Sequence, residues 1–469
     1  MDNLQNSRRT FIKTSLLLAS GMTTATIFSN RSNPEACEKP NIIWLIADDV
    51  GSKEIGCYGH PTIRTPNIDR MAGEGIRFTQ AFVTTSSCSP SRASMFTGKY
   101  PHSTGAEDLH DPLPAEQAIL PELLAPAGYY SGNVGKYHLG KFAEKKFDRL
   151  LPKVEDWKLF LNERPQNRPF FLSLGFYDAH RTFDRGCIDP PYTHDEVIVP
   201  PYLPDIEEAR EELAGFYDEI TRMDGVIGEM MQYLETEGIA RNTLVVFFGD
   251  NGMPFPRAKT TLYDSGIETP LIACWPEQIN AGQVYEGLAS LVDLAPTMLH
   301  AAGLPIPDDM QGRSLIDQVR EPNLHDRDYI FAEKNWHDLD DHSRAVRDGR
   351  FKYIRNAFPE KPLENSADSS VAPLFQQMRK MRDAGTLTRE QALLFRARRA
   401  KEELFDLAYD PMEFHNVAYE SAYQGVLERM RNALDEWIEA TNDISPSKSL
   451  PDEFHAETGE RIRPPHQNQ

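Results

Sequence analysis

Short apolar runs alternate with segments of helical periodicity along roughly the first 325 residues of the chain. Five of these runs predict buried strands, at residues 41–47, 129–134, 170–176, 243–248 and 271–275. Helical patterns lie among them, at residues 66–73, 91–97, 206–237 and 292–302. Short continuous apolar runs are typical of strands that are buried on both faces, and their alternation with helices predicts a doubly wound α/β sheet.

A different pattern begins near residue 325. Short runs at 329–332, 344–347 and 351–354 predict antiparallel strands, a charged stretch at 371–401 predicts helix, and a final helix is predicted near 422–441. We therefore expect a large α/β domain over residues 37–325 and a smaller α+β subdomain over residues 326–444. The remaining residues, 445–469, are rich in proline and charge and are expected to form a loose tail.

The N-terminus has the pattern of an export signal. Residues 7–13 (SRRTFIK) look like a twin-arginine signal, and a mildly apolar stretch follows at 15–28. This stretch is too short and too polar to span a bilayer stably, and no other segment is apolar enough. We therefore expect residues 1–36 to be signal peptide and leader. The Tat translocase would export the chain to the periplasm or the medium, and the mature protein would have no membrane span.

The composition fits a folded globular protein and argues against some partners. The 469 residues are 40% hydrophobic, which is enough for a substantial core. The formal net charge of −21 repels nucleic acid and anionic membranes, and its plainest interpretation is solubility. The five cysteines are an odd number, are widely spaced and include no CxxC pair, so neither a disulfide framework nor a zinc site is indicated.

Carboxylates directly follow two of the predicted strands. Asp48 and Asp49 come after the first strand, and Asp250 and Asn251 come after the strand at 243–248. Active sites of doubly wound sheets gather at the carboxyl ends of the strands. Either pair alone is also compatible with a helix cap or a turn. Together they predict a site for a hard divalent cation, Ca²⁺ or Mg²⁺, with Ca²⁺ favoured for an exported protein with oxygen ligands.

The run CSPSRASMFTG at residues 88–98 carries the most specific pattern in the chain. It resembles the C-x-P-x-R signature of the type I sulfatases, which extends to a later T-G. The resemblance implies an alkaline-phosphatase-like doubly wound mixed sheet flanked by helices. It also implies that a formylglycine-generating enzyme converts Cys88 to formylglycine. An aldehyde hydrate has one hydroxyl to attack sulfur and a second to expel sulfate, so covalent catalysis would divide one difficult step into two.

The same resemblance implies roles for other residues. The run GKYHLG at 135–140 is similar to the family's G-K-W-H-L-G, so Lys136 would bind sulfate and His138 would act as the base in sulfate elimination. His180 would protonate the leaving group, although the preceding Asp178 and Ala179 depart from the family pattern. The remaining roles are a second sulfate contact by Lys259, a structural role for Arg92, and metal ligation by Asp48, Asp49, Asp250, Asn251 and the residue made from Cys88.

Four stretches are similar to the heparan N-sulfatases (sulfamidases), at residues 86–94, 180–181, 250–256 and 260–271. They imply a sulfated oligo- or polysaccharide substrate and glycosaminoglycan degradation, and we further predict substrate contacts by Arg181 and His337. Ancestry alone does not fix the substrate, so an O-sulfatase for another polysaccharide such as algal ulvan remains an alternative. A phosphonate or phosphate monoester hydrolase is a second alternative. A non-catalytic glycan-binding relative is a third, although every catalytic position of the family pattern is present.

Overall fold

The computed structural model describes residues 39–325, 327–363, 365–455 and 458–464. The predicted twin-arginine signal and leader lie outside these residues. Within them, the chain forms a large sheet flanked by helices and a separate small antiparallel sheet, so the predicted fold class is confirmed.

Eight strands form the large sheet, in the order β4-β3-β5-β1-β6-β7-β2-β8. They are β1 (Asn41–Ala47), β2 (Ile76–Phe82), β3 (Tyr130–Gly135), β4 (Arg149–Leu151), β5 (Phe170–Gly175), β6 (Thr243–Gly249), β7 (Leu271–Cys274) and β8 (Gln283–Ser290). All neighbouring pairs are parallel except those that involve β7, which runs antiparallel to β6 and to β2. The sheet is therefore mixed, as the family resemblance implies.

Four antiparallel strands form the small sheet, in the order β12-β11-β10-β9. They are β9 (Ile330–Lys334), β10 (Ser343–Arg347), β11 (Phe351–Asn356) and β12 (Glu402–Asp406). The first three confirm the strands predicted after residue 325.

Helices cover both faces of the large sheet and pack on the small one. They are α1 (Pro66–Glu74), α2 (Cys88–Thr97), α3 (Leu120–Leu124), α4 (Trp157–Glu163), α5 (Glu207–Thr236), α6 (Asp264–Ile267), α7 (Leu294–Ala301), α8 (Ile316–Arg320), α9 (Ala367–Ser370), α10 (Pro373–Asp383) and α11 (Gln424–Thr441). The prediction of one helix over 371–401 is wrong. Gly385 takes up a left-handed conformation after α10, with φ of 67°, which ends the helix there.

The central strand β1 is buried throughout and contributes to the core on both faces of the sheet. Trp44 has no exposed surface and packs against Phe96 of α2, Phe171 of β5 and Phe248 of β6, with ring centroids 5.0–5.6 Å apart. Because β1 lies between β5 and β6 in parallel register, the carboxyl ends of these three strands meet at one edge.

Part of the C-terminal tail contacts the rest of the fold. The Asp340 amide donates to Asp452, 3.0 Å away, and Lys361 forms an ion pair with Asp452 at 3.2 Å. Glu453 is only 4% exposed. The sequence predicts a loose tail from residue 445, whereas these residues pack against the segments that follow β9 and β11.

Two of the predicted absences can be compared with the described residues. None of the helices placed by the structure is both long enough and apolar enough to cross a bilayer. The cysteines in this part of the chain, Cys57, Cys88, Cys187 and Cys274, are all free thiols.

A half-buried glutamate, Glu54, in the segment after β1 makes stability depend on pH. Burial, together with the neighbouring Glu268, raises the pKa of Glu54 to about 7. The folded state therefore holds this proton more tightly than the unfolded chain, whose glutamates titrate near about 4.3. Its contribution to the free energy of unfolding is complete below that value and is lost as the pH rises through about 7.

We expect Glu54→Gln to flatten the decline in the free energy of unfolding between about pH 5 and about pH 8. Urea unfolding at both pH values measures this decline. The exposed Glu155→Gln variant is the control and should keep the wild-type slope. An unchanged slope in Glu54→Gln would contradict this prediction, because it would mean that folding does not raise the pKa of Glu54.

Candidate active site

Two pairs of polar residues meet where β1 and β6 end. Ala47 and Gly249 are partners in the parallel register of these strands, so the residues that follow emerge side by side. The Asp49 amide donates to Asp250 Oδ1 at 3.1 Å, and Asn251 Nδ2 donates to Asp49 Oδ1 at 2.6 Å. The side chains of Asp48, Asp49, Asp250 and Asn251 are at most 1% exposed. The structure therefore brings these four residues together at the ends of β1 and β6.

Cys88 is the first residue of α2 and lies against this group. Its Sγ is 3.7 Å from Asp48 Oδ1 and 3.7 Å from Asp49 Oδ1. Burial raises the pKa of the Cys88 thiol well above its usual range, although Lys136 and Lys259 act in the opposite direction. An unmodified Cys88 is thus a neutral thiol and a poor nucleophile in this position.

Each of the three carboxylates is paired with a different cation. Arg92 Nε donates to Asp250 Oδ2 at 2.8 Å, Lys259 Nζ to Asp49 Oδ2 at 2.7 Å, and Lys136 Nζ to Asp48 Oδ2. Burial raises the pKa of Asp48 to about 6, and Lys136 opposes this rise. The three carboxylates and three cations have no net charge together, so the cluster can accept a cation and an anion at the same time.

The donor set fits a divalent metal ion. One oxygen each of Asp48, Asp49 and Asp250 and the Cys88 sulfur lie within 4.8 Å of one another. Asn251 Oδ1 is buried and has no hydrogen-bond partner among the described residues. An unsatisfied buried carbonyl beside three carboxylates is costly unless it has a ligand, and oxygen donors of this kind suit Ca²⁺ or Mg²⁺.

The two predicted catalytic histidines flank the cluster. His180 Nδ1 is 2.6 Å from the Arg181 carbonyl oxygen, which can only accept, so Nδ1 carries a proton. Its Nε2 faces Asp49 Oδ2 at 3.9 Å, and this nitrogen is the one that exchanges a proton with a ligand. His138 Nε2 is 2.8 Å from His110 Nδ1. Burial, with help from Lys136, lowers the pKa of His138 well below its usual range, so its imidazole is neutral and can accept a proton.

The remaining two sequence-predicted contacts have different surroundings. His337 Nδ1 is 2.7 Å from Ser87 Oγ, directly before Cys88, and this ring lies next to the cluster. Arg181 does not join it. Its guanidinium donates to the Pro254 carbonyl at 2.7 Å, forms an ion pair with Glu212 at 2.7 Å and packs on the rings of Phe183 and Phe255. Arg181 therefore holds the loop after Asn251 in place.

The fold also brings His110 and Asp368 to the site, two residues that are not among the predicted site residues. His110 contacts His138, and Asp368 lies 3.8 Å from both His180 Nε2 and Lys259 Nζ. Neither follows an apolar strand or belongs to a run that resembles a motif, so no local pattern marks them. Next to the cluster, a cavity of about 460 Å³ is lined by Lys136, His138 and the half-exposed Tyr177.

Two protein-family profiles match the chain. The profile described as "Sulfatase" matches residues 40–156 and 148–304. The profile described as "N-sulphoglucosamine sulphohydrolase, C-terminal" matches residues 257–364. The first match contains all the residues of the cluster described above, and the second contains His337 and ends four residues before Asp368.

Two curated proteins are similar over most of the chain. The ulvan-active sulfatase of Formosa agariphila is 33% identical over 460 residues, which covers 87% of this chain and 76% of that protein. Human N-sulphoglucosamine sulphohydrolase is 32% identical over 457 residues, which covers 86% of this chain and 90% of that protein.

Solved structures share the fold at lower identity. A protein in complex with its substrate D-glucosamine-2-N,6-O-disulfate has a TM-score of 0.71 at 20% identity, covering 87% of this chain and 99% of that one. The phosphonate monoester hydrolase of Agrobacterium radiobacter has a TM-score of 0.64 at 19% identity, covering 86% and 96%. Because both identities are below 25%, these structures support the fold alone.

Proposed function

The chain belongs to the sulfatase family and is a hydrolase of sulfuric esters or sulfamates, and from this premise we propose that it removes sulfate groups from a sulfated glycan. We propose that the reaction uses a formylglycine made from Cys88 and a divalent cation. The observation that carries this proposal is the position of Cys88 Sγ, 3.7 Å from two carboxylates that are each paired with a lysine.

The oxygen donor set supports the proposed cation, and the neutral, poorly nucleophilic thiol supports the conversion of Cys88 to formylglycine. Asp48, Asp49, Asp250 and Asn251 would hold the cation, together with the modified residue 88. Formylglycine would supply an oxygen nucleophile and a second hydroxyl for sulfate release, and the cation would polarise the sulfuryl oxygens.

The side chains of this protein have separate tasks in the proposed reaction. Lys136 Nζ and Lys259 Nζ lie at opposite carboxylates of the cluster and bind the sulfate oxygens. His180 Nε2 gives a proton to the leaving atom, because Nδ1 is fixed as a donor to the Arg181 carbonyl. His138, kept neutral by burial, takes a proton during sulfate release.

The similarity to two relatives supports a glycan substrate. One relative is named for ulvan and the other for N-sulphoglucosamine, and the second family profile carries the latter name. We further propose that residues 1–36 direct export through the Tat translocase, that a formylglycine-generating enzyme acts on Cys88 during maturation, and that residues 37–325 and 326–444 form the catalytic domain and the C-terminal subdomain.

A desulfation screen tests the proposed function. We expect the protein, produced together with a formylglycine-generating enzyme, to release sulfate from at least one member of a panel of N-, 2-O-, 3-O- and 6-O-sulfated sugars. Ion chromatography measures the sulfate. Faster turnover of an aryl phosphate or phosphonate than of the matched aryl sulfate would overturn the proposal.

Metal removal tests the cation. We expect EDTA to lower kcat at least about 100-fold and Ca²⁺ or Mg²⁺ to restore it, because the cation would polarise the sulfuryl oxygens during attack on sulfur. Isothermal titration of the EDTA-treated protein with each ion gives the affinity independently of turnover. Full activity after removal of all bound metal would contradict this prediction.

A further inference from the structure

Asp368 is a carboxylate of the site that the proposed reaction does not use. It lies in α9, between β11 and β12 of the small sheet in sequence, and its side chain is 29% exposed. Its Oδ1 accepts a hydrogen bond from the Ser369 amide at 2.7 Å. Its Oδ2 is 3.8 Å from His180 Nε2 and 3.8 Å from Lys259 Nζ. One oxygen is therefore fixed, and the other points to the two groups that meet the substrate.

The position of Oδ2 places it beside the bond that is broken. His180 Nε2 protonates the atom that bridges the sugar and the sulfur. Hydrogen bonds are about 3 Å long between heavy atoms, so one atom can lie at that distance from both His180 Nε2 and Asp368 Oδ2, which are 3.8 Å apart. The bridging atom of a bound substrate thus contacts the acid and the carboxylate together.

The chemistry of the bridging atom decides how it interacts with a carboxylate. The nitrogen of a sulfamate carries a hydrogen, and it can donate that hydrogen to Asp368 Oδ2. The bridging oxygen of a sulfate ester carries only lone pairs, which a carboxylate repels. A site built to accept a hydrogen bond rejects an analogue that lacks the donor by a large factor, because the carboxylate then faces lone pairs in place of an N–H group.

We infer that Asp368 is a specificity-determining residue that selects N-sulfo groups over O-sulfo groups, and this inference rests on the proposed function. In the reaction, R–NH–SO₃⁻ and water give R–NH₃⁺ and SO₄²⁻. The S–N bond breaks, and its electron pair stays on nitrogen. The nitrogen takes one proton from His180, which regains it from the water that is consumed, and the resulting amine takes the second proton of that water to become an ammonium group. The new ammonium group lies beside Asp368, which stabilises its charge, whereas ester cleavage leaves a neutral hydroxyl at this position.

The test uses two substrates that differ in the bridging atom at carbon 2, N-sulfoglucosamine and glucose 2-sulfate. We expect the wild-type protein to prefer the sulfamate in kcat/KM by at least about 100-fold. In Asp368→Asn, which keeps the shape but can donate to a bridging oxygen, this ratio should fall at least about 30-fold. The exposed Asp383→Asn in α10 is the matched control and should keep the wild-type ratio.

The possible outcomes are distinguishable. An equal loss on both substrates in Asp368→Asn would show that Asp368 only positions His180, and the inference would be wrong. Wild-type activity on glucose 2-sulfate but not on N-sulfoglucosamine would overturn the inference and leave the sulfatase function intact. Inactivity on both sugars and on an aryl sulfate would contradict the proposed function and the inference with it. If thermal unfolding shows that Asp368→Asn is not folded, Asp368→Ser provides the same comparison.

Discussion

Cys88→Ala is expected to lower kcat for sulfate release by at least about 10⁴-fold, because it removes the atom from which the proposed nucleophile is made. The loss should be in kcat more than in binding, since the variant keeps Lys136 and Lys259, the two proposed sulfate contacts. Single-turnover kinetics on the substrate identified by the desulfation screen measures the effect. Mass spectrometry of the wild-type peptide that contains residue 88 should show an aldehyde in place of the thiol.

A second buried cysteine provides the control. Cys274 lies in β7, and its side chain, like that of Cys88, is 2% exposed. It is outside the cluster of ligand atoms, so Cys274→Ala should keep kcat within a few-fold of the wild-type value. An active wild-type protein with an unmodified thiol at residue 88 would contradict the proposed chemistry, whatever the variants do.

Arg92→Ala is expected to lower the free energy of unfolding by about 3–5 kcal/mol and to abolish activity. Arg92 is 1% exposed and binds Asp250, which has no exposed surface. Although burial acts in the opposite direction, Arg92 holds the pKa of Asp250 below its ordinary value. The variant leaves this carboxylate buried without its partner, and it also removes the 3.1 Å contact of Arg92 with the Lys136 carbonyl. Urea unfolding and the sulfate assay measure the two effects.

Arg350→Ala is the matched control for this prediction. Arg350 also binds one aspartate, Asp406, through two hydrogen bonds of 2.9 and 2.7 Å. Its side chain is 51% exposed, so solvent screens the pair and the loss of stability should be much smaller. Equal destabilisation by the two substitutions would show that the buried position of Arg92 is not what makes its ion pair important.

The sequence predicted those parts of the fold in which one signal dominates. β1 and β6 are continuous apolar runs, and both were identified with their terminal carboxylates. β2 was missed because two adjacent polar residues, Thr79 and Gln80, break its alternation of apolar and polar residues, and β8 because it contains glycine and several polar residues. These two strands pair with each other, so their partner and not their own composition defines them.

The site residues likewise divide into those with a local sequence signal and those without one. Residues that lie next to a strand end or inside a recognisable motif were identified, and most of them meet in the cluster. His110 and Asp368 are brought there by tertiary packing and carry no local signal. Arg181 was expected to contact the substrate because it follows His180. Its side chain instead points to Glu212, and the sequence does not contain the direction of a side chain.

The register of β1 in the sheet determines whether the cluster of carboxylates can form. Ile42, Trp44 and Ile46 point to one core cluster, and Ile43 and Leu45 point to the other. A slip of β1 by one residue would exchange these two faces and would also move Asp48 and Asp49 away from Asp250. A molecule with this error could not keep the proposed metal ligands together. Binding of the proposed cation would therefore report that the central strand has its correct register.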